Sequence, residues 1–393
     1  MENITNLQKW MHSPPRAGES IDPVISYDLF RTSWYKPLPY IVNPSQKDNE
    51  LIFPIESKNN ILANVTLFMK TPEIVSGDPK VQVALCDNFF HNFIESGTLY
   101  AGNDEITTVD SVVFDQIIQL YPIRDGTGKR EQYLAEIGNL PELTTFNQQL
   151  PGKDLSFPIP FSFSRVNSPP FPLFLTNSPV VLKFKIRDIG KLIRVKIGND
   201  YFPYESGKYN IFIEPFKNPD AVIVYGQLTP GEIQVHQSRT QYMLFDYFEA
   251  YDGPEKSGFA FKTIKPQYPA RAFFISAQNM DAARVNNLSN YSTDSLDGYL
   301  GEGPFKIIQK VPGNVFSNTM SIWSGTASPE RPGYYLYPFV FNLGKYMDSG
   351  ETSAQNLEFE LNPGNYNLRI RVYSYRIFKF QNGNISLFQI PNF

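Results

Sequence analysis

The stretch Phe157-Pro-Ile-Pro-Phe-Ser-Phe-Ser-Arg-Val-Asn-Ser-Pro-Pro-Phe-Pro-Leu-Phe-Leu-Thr-Asn-Ser-Pro-Val-Val-Leu-Lys-Phe-Lys-Ile-Arg187 decides the fold class. Phe157, Ile159, Phe161 and Phe163 recur at every second position, which points them to one face of a strand. Pro158 and Pro160 have no N–H to donate, so that strand belongs at an edge or begins outside the ladder. Arg165 leads into a proline-broken connection over 167–172, and Pro179 opens a second strand. There Leu182, Phe184 and Ile186 face one way and Lys183, Lys185 and Arg187 the other. That is the pattern of a half-buried antiparallel strand.

Outward from that stretch, short alternating segments recur. Residues 51–55 and 61–69 read as strands, the second with Ile61, Ala63, Val65, Leu67 and Met69 towards the core. Val81, Val83 and Leu85 repeat the pattern, as do Ile193, Val195 and Ile197; 211–215 and 221–225 close the first half. Residues 107–121 suit either a bent strand pair or a short helix, and 133–152 reads as loop. Thr229-Pro230-Gly231-Glu232 is a capping box with proline at the first helical position. It predicts a short helix over 230–238 that joins one β domain to the next. Leu357, Phe359 and Leu361 alternate with Glu358 and Glu360, and Tyr366, Leu368 and Ile370 with Arg369 and Arg371. That spacing predicts a hairpin around 362–365, with Glu358 opposite Arg369.

Three landmarks in this order carry a family resemblance. They are the Pro-x-Pro-Phe-x-Phe-x-Arg-x-Asn run from Pro158 to Asn167, the segment from Tyr225 through the short helix to Arg239, Tyr242 and Leu244, and the proline-led strand from Tyr268 to Gln278. The chain resembles the major capsid proteins of large icosahedral double-stranded DNA viruses: iridoviruses, algal phycodnaviruses and their relatives. The resemblance implies an all-β fold of two tandem eight-stranded antiparallel jelly rolls with few short helices. It divides the chain into an N-terminal arm at 1–20, a first roll at 21–228, a linker helix at 229–239 and a second roll at 240–393. Residues 28–35 stand where the family has its first strand. The chain departs from the family at 348–353, where Asp348-Ser-Gly-Glu-Thr stands in place of Pro-Ser-Gly and Ser-Arg. Loops shorter than the family's imply a low outer surface without turrets.

Composition agrees with such a fold. A chain of 393 residues exceeds one ordinary core, and 41% hydrophobic residues suffice to fill more than one. The 32 Pro, 32 Phe and 23 Tyr favour short strands joined by turns. A formal charge of −4, without a Lys/Arg-rich tail at either end, argues against a coat that grips a genome through basic patches. Cys86 is the only cysteine, which excludes disulfides within the chain and fits a reducing compartment. Its expected role is that of a small buried apolar residue. Residues 1–20 lack a signal-peptide core, and no run approaches the ~18 apolar residues of a membrane span.

Several motifs resemble chemistry and fail on inspection. Gly126-Thr-Gly-Lys129 lacks the first glycine and the final Ser or Thr of a phosphate loop, and reads as a turn. His12, His91 and His236 have no ligand spacing, and His236 is expected as a capping or surface group. Residues 294–298 are too few for a calcium loop. No catalytic residue, metal or cofactor is expected. Of five Asn-x-Ser/Thr sequons, Asn287 and Asn290, in a polar loop, are those a glycan would reach.

These readings point to a structural protein rather than an enzyme. The resemblance implies homotrimeric capsomers of pseudo-hexagonal outline that tile an icosahedral virion shell and are made and assembled in the host cytoplasm. The implied partners are further copies, minor capsid proteins and an inner membrane beneath the shell, without direct nucleic-acid contact. Trp323, Tyr334, Tyr335 and Tyr337 are the candidate intersubunit contacts, with core packing as the competing role. Two alternatives stay open: a minor capsid or scaffold role on the same fold, and a carbohydrate-binding or carbohydrate-active β-sandwich.

Overall fold

The computed structural model describes residues 36–56, 60–120, 127–164, 170–291, 297–302, 305–306, 313–326, 328–329, 331, 333–340, 343 and 355–388. The N-terminal arm, the segment 28–35, Arg165, Asn167 and the departure at 348–353 lie outside them.

Eight strands of the first half make two sheets. In chain order they are Lys36–Val42, Glu50–Ile55, Ile61–Lys70, Ile94–Ala101, Asp104–Asp110, Asp154–Pro158, Val180–Ile186 and Asp220–Gln227. One sheet runs first–eighth–third–sixth; the other runs second–seventh–fourth–fifth, with the short strand Ser45–Lys47 added at its edge. Every pairing is antiparallel. This is jelly-roll order, in which two sheets bury their facing sides. The seventh strand is central, and its alternation holds: Leu182 and Phe184 are fully buried while Lys185 is exposed.

Phe157, Ile159, Phe161 and Phe163 are all buried, but the strand they were expected to share ends at Pro158. Ser162–Ser164 is a 3-10 turn. Two prolines without donors explain the early end. In the third strand the register slips at Ala63, so Leu62 joins Ile61 in the core and Ala63 is only half-buried. The ambiguous stretch at 107–121 resolves into both readings in turn, the fifth strand and then the helix Ser111–Leu120. Residues 133–152 are not plain loop. They hold the end of the helix Thr127–Glu136, the helical turn Pro141–Thr144 with proline at its start, and the strand Gln149–Leu150. Thr127-Gly-Lys129 therefore opens a helix rather than a turn.

The second half repeats the order. Gln241–Ile264 and Gln355–Gln381 form one long antiparallel ribbon. Its register slips once: Lys256 pairs with Asn365 but Gly258 with Leu361, so residues 362–364 stand opposite residue 257 alone. On one side of that bulge, 241–256 and 365–381 pair with each other and continue to Ala270–Asn279 and Tyr334–Pro338, again first–eighth–third–sixth. On the other side, 258–264 and 355–361 continue to Asp297–Glu302 and Phe305–Lys306, again second–seventh–fourth–fifth. The fold is a double jelly roll. The expected hairpin at 362–365 is overturned, because the chain bulges there and runs on without reversing. Arg369 accordingly meets Asp252 (2.9 Å), not Glu358.

Between the halves lies the helix Pro230–Gln237. Its capping box forms as expected: Thr229 N–H donates to the Glu232 carboxylate (2.8 Å), and Thr229 Oγ1 accepts from Glu232 N–H. His236 on this helix is buried rather than exposed, beside the Phe174 ring. Burial holds its pKa below the ordinary histidine value. Cys86 is buried as expected, and burial pushes its thiol pKa up.

Two apolar clusters result. The smaller holds Phe273, Ile275, Leu368, Ile370 and Val372 of the second roll. The larger fills the first roll and runs on into the second through Met243, Phe245, Phe274 and Tyr373. Ala270–Asn279 is therefore buried almost end to end: Phe273 and Ile275 face their own roll, Ala272 and Phe274 the other.

Candidate assembly surfaces

The most constructed polar region in the molecule is the seam between the rolls. Asp115 projects from the helix Ser111–Leu120 and is 1% exposed. Its carboxylate accepts from Asn88 Nδ2 (2.9 Å), Ser289 Oγ (2.5 Å) and Tyr291 OH (3.0 Å), and His91 Nδ1 lies 2.6 Å away. Ser289 and Tyr291 come from the second half of the chain, the others from the first. Tyr133 OH sits 2.8 Å from His91 Nε2, and Asn92 Nδ2 donates to Ser289 Oγ (2.7 Å). Burial pushes the Asp115 carboxyl up. The hydrogen bond and charge of His91, with the bonds from Ser289 and Asn88, outweigh it and hold the pKa below the usual carboxylate value.

At the next residue of the same helix, Gln116 Nε2 lies within reach of Phe274 O, Ser276 Oγ and Arg369 O (3.1–3.3 Å). Thr107 Oγ1 donates to Asp246 O (3.0 Å), and Asn286 Nδ2 to Ile193 O (2.8 Å). Arg371, 3% exposed, bonds Asp110 across the seam (2.8 Å) and Asp252 in its own roll (2.5 Å). Its own burial would weaken the cation, but the two carboxylates prevail and raise its pKa. Asp115 and Arg371 each hold partners from both rolls, and so tie one roll to the other.

Ser289, Asp115 and His91 are residue types of nucleophilic catalysis, but here they do other work. Ser289 and His91 both bond Asp115, and the serine hydroxyl has no hydrogen bond to the imidazole. All three are buried. These three residues therefore form no nucleophile–base pair open to a substrate. Among the described residues no group of His, Cys, Asp and Glu is placed to hold a metal, and no helix is long and apolar enough to cross a membrane. The sequence did not single out Asp115. The signal was a carboxylate inside the apolar run Val112–Ile118, every residue of which is buried.

The candidate contact residues divide. Tyr334 and Tyr335 are core residues, 1% and 3% exposed, in the competing role of core packing. Their strand lies against Ala270–Asn279, so one ring faces the seam and the other the second core. Tyr337 is half-buried against Phe316 and Phe339. Trp323 stands out from the surface, 61% exposed, beside Ile322 at 68%. Asn287 is buried and its sequon partner Ser289 is tied to Asp115, so the folded chain does not present that site for a glycan. Asn290 is half-buried, with its carbonyl bonded to Asn279 N–H.

The geometry defines a protein of two like rolls locked side by side. No protein-family model matches the sequence, and no curated protein matches it. Solved structures do match in fold. VP54 of PBCV-1 superposes with a TM-score of 0.69 at 12% identity, covering 91% of this chain and 98% of that one. The Faustovirus major capsid protein gives 0.69 at 8% identity, covering 88% and 90%. The mavirus major capsid protein gives 0.54 at 9% identity, covering 90% of each chain. The likeness to all three is one of fold, the double jelly roll.

Proposed function

We propose that this chain is a capsid protein: a non-enzymatic building unit that assembles with copies of itself into homotrimeric capsomers and, through them, into an icosahedral virion shell. The observation that carries this reading is the duplication. Two rolls of the same strand order, fixed at one angle by a buried polar seam, make a rigid unit with two similar wedges. Three such units around a threefold axis give six wedges and a near-hexagonal outline, through the heterologous contacts a closed ring requires. The fold shared with the Faustovirus and mavirus major capsid proteins supports the same reading. On this reading the rolls divide at the helix over 229–239, minor capsid proteins are partners at capsomer edges, and assembly takes place in the host cytoplasm.

Native mass of the purified chain tests the proposal. A trimer that images as hexagonal particles is expected. A monomer at every accessible concentration overturns it. Copy number in particles separates the main shell component from a minor one.

A further inference from the structure

We propose that the seam inside the chain is repeated between chains. The helical turn that bears Ile322 and Trp323, on the second roll of one copy, docks on the outer face of the first roll of the next. This rests on the assembly reading above and names the surfaces it uses.

The rolls correspond in strand order. In each, a helix follows the fifth strand: Ser111–Leu120 after Asp104–Asp110, and Val315–Thr319 continued by Met320–Trp323 after Phe305–Lys306. Within the chain, the first of these helices lies on the outer face of the second roll. Gln116 there reaches Phe274 O and Ser276 Oγ on the third strand and Arg369 O on the eighth. Ser276 and Arg369 are register partners.

The first roll has the same place on its own outer face. Phe68 of the third strand is the register partner of Asp220 on the eighth and of Ser156 on the sixth. A groove of about 530 Å³ opens there, lined among others by Phe68, Leu155, Ser156, Lys217 and Asp220 and, from the end of the helix Thr127–Glu136, by Glu136. On the first strand of the same sheet, Ile41 is 70% exposed. The second roll carries the matching element. The second-roll helix turns Phe316 and Met320 into its own core and leaves Ile322 and Trp323 outside. An exposed tryptophan beside an isoleucine is the kind of anchor that dominates protein contacts once it is seated in a groove. Because the two faces differ, the contact is head-to-tail and propagates around a ring.

Two measurements on the full-length chain test this. The first is native mass against concentration for the wild type and for the double variant Ile322→Asp, Trp323→Asp. Both positions are exposed, so folding should survive, and a near-UV and thermal profile like the wild type's verifies that. Assembly is expected to weaken at least ~10-fold, from the apolar burial lost at each contact. The second mixes Trp323→Cys chains with Lys217→Cys chains and adds a short bis-maleimide; the buried Cys86 supplies little background. A heterodimer is expected from that mixture, and none from Trp323→Cys with Tyr201→Cys, whose position lies on the short strand Asp200–Pro203, in a three-stranded sheet apart from the two that form the roll. An unweakened oligomer in the double variant, or cross-linking to position 201 in preference to 217, overturns this pairing and leaves the assembly reading standing. A wild-type chain that never associates removes both.

Discussion

Asp115 shows what a single residue does for this fold. Four neighbours from two segments satisfy one buried carboxylate, and two of them lie 174 and 176 residues away in sequence. Asp115→Ala leaves His91, Ser289, Tyr291 and Asn88 without their shared acceptor and is expected to cost about 3–5 kcal/mol, measured by denaturant unfolding. A cost under about 1 kcal/mol would mean water replaces the carboxylate freely. His236 supplies a pH test. Its folded pKa lies below its unfolded value, so the unfolded chain binds the proton more readily. The stability it contributes is present above about pH 6.5 and is lost as pH falls towards the folded value. Thermal midpoints of wild type should fall between about pH 7 and 5.5 more steeply than those of His236→Gln. Parallel curves would count against it. Neither residue's role was readable in the sequence, because each depends on neighbours that only the folded chain supplies.

At the scale of elements, legibility followed the number of faces a segment buries. Val180–Ile186 has one face in the core, and its period of two could be read directly. Ser111–Leu120 is buried all round, so its apolar run suited either a helix or a strand. Pro363-Gly364 misled for a different reason. Proline and glycine mark a break in the ladder, and a break serves equally as a turn or as the bulge where a ribbon exchanges one set of partners for another. The linker helix was legible because capping is local chemistry. Thr229→Ala removes the acceptor for Glu232 N–H and is expected to cost about 1 kcal/mol, read as a lowered thermal midpoint. An unchanged midpoint would show that the helix is held by packing alone.

Over the whole molecule, the jelly-roll order appears twice, and the resemblance anticipated that duplication. The locking of the two copies was not anticipated, since the sequence separates Asp110 from Arg371 by most of the chain. Ala270–Asn279, flanked by apolar neighbours on both sides, has a practical corollary for anyone who cuts the gene. Severed in the loop before Thr229, the C-terminal fragment would bare Phe274, Tyr373 and Phe245 to solvent and should go into inclusion bodies when expressed alone. Supplied together in one cell, the two pieces should rescue each other's solubility and co-purify through a tag on either. A soluble, well-folded C-terminal piece on its own would show that the second roll tolerates a naked flank.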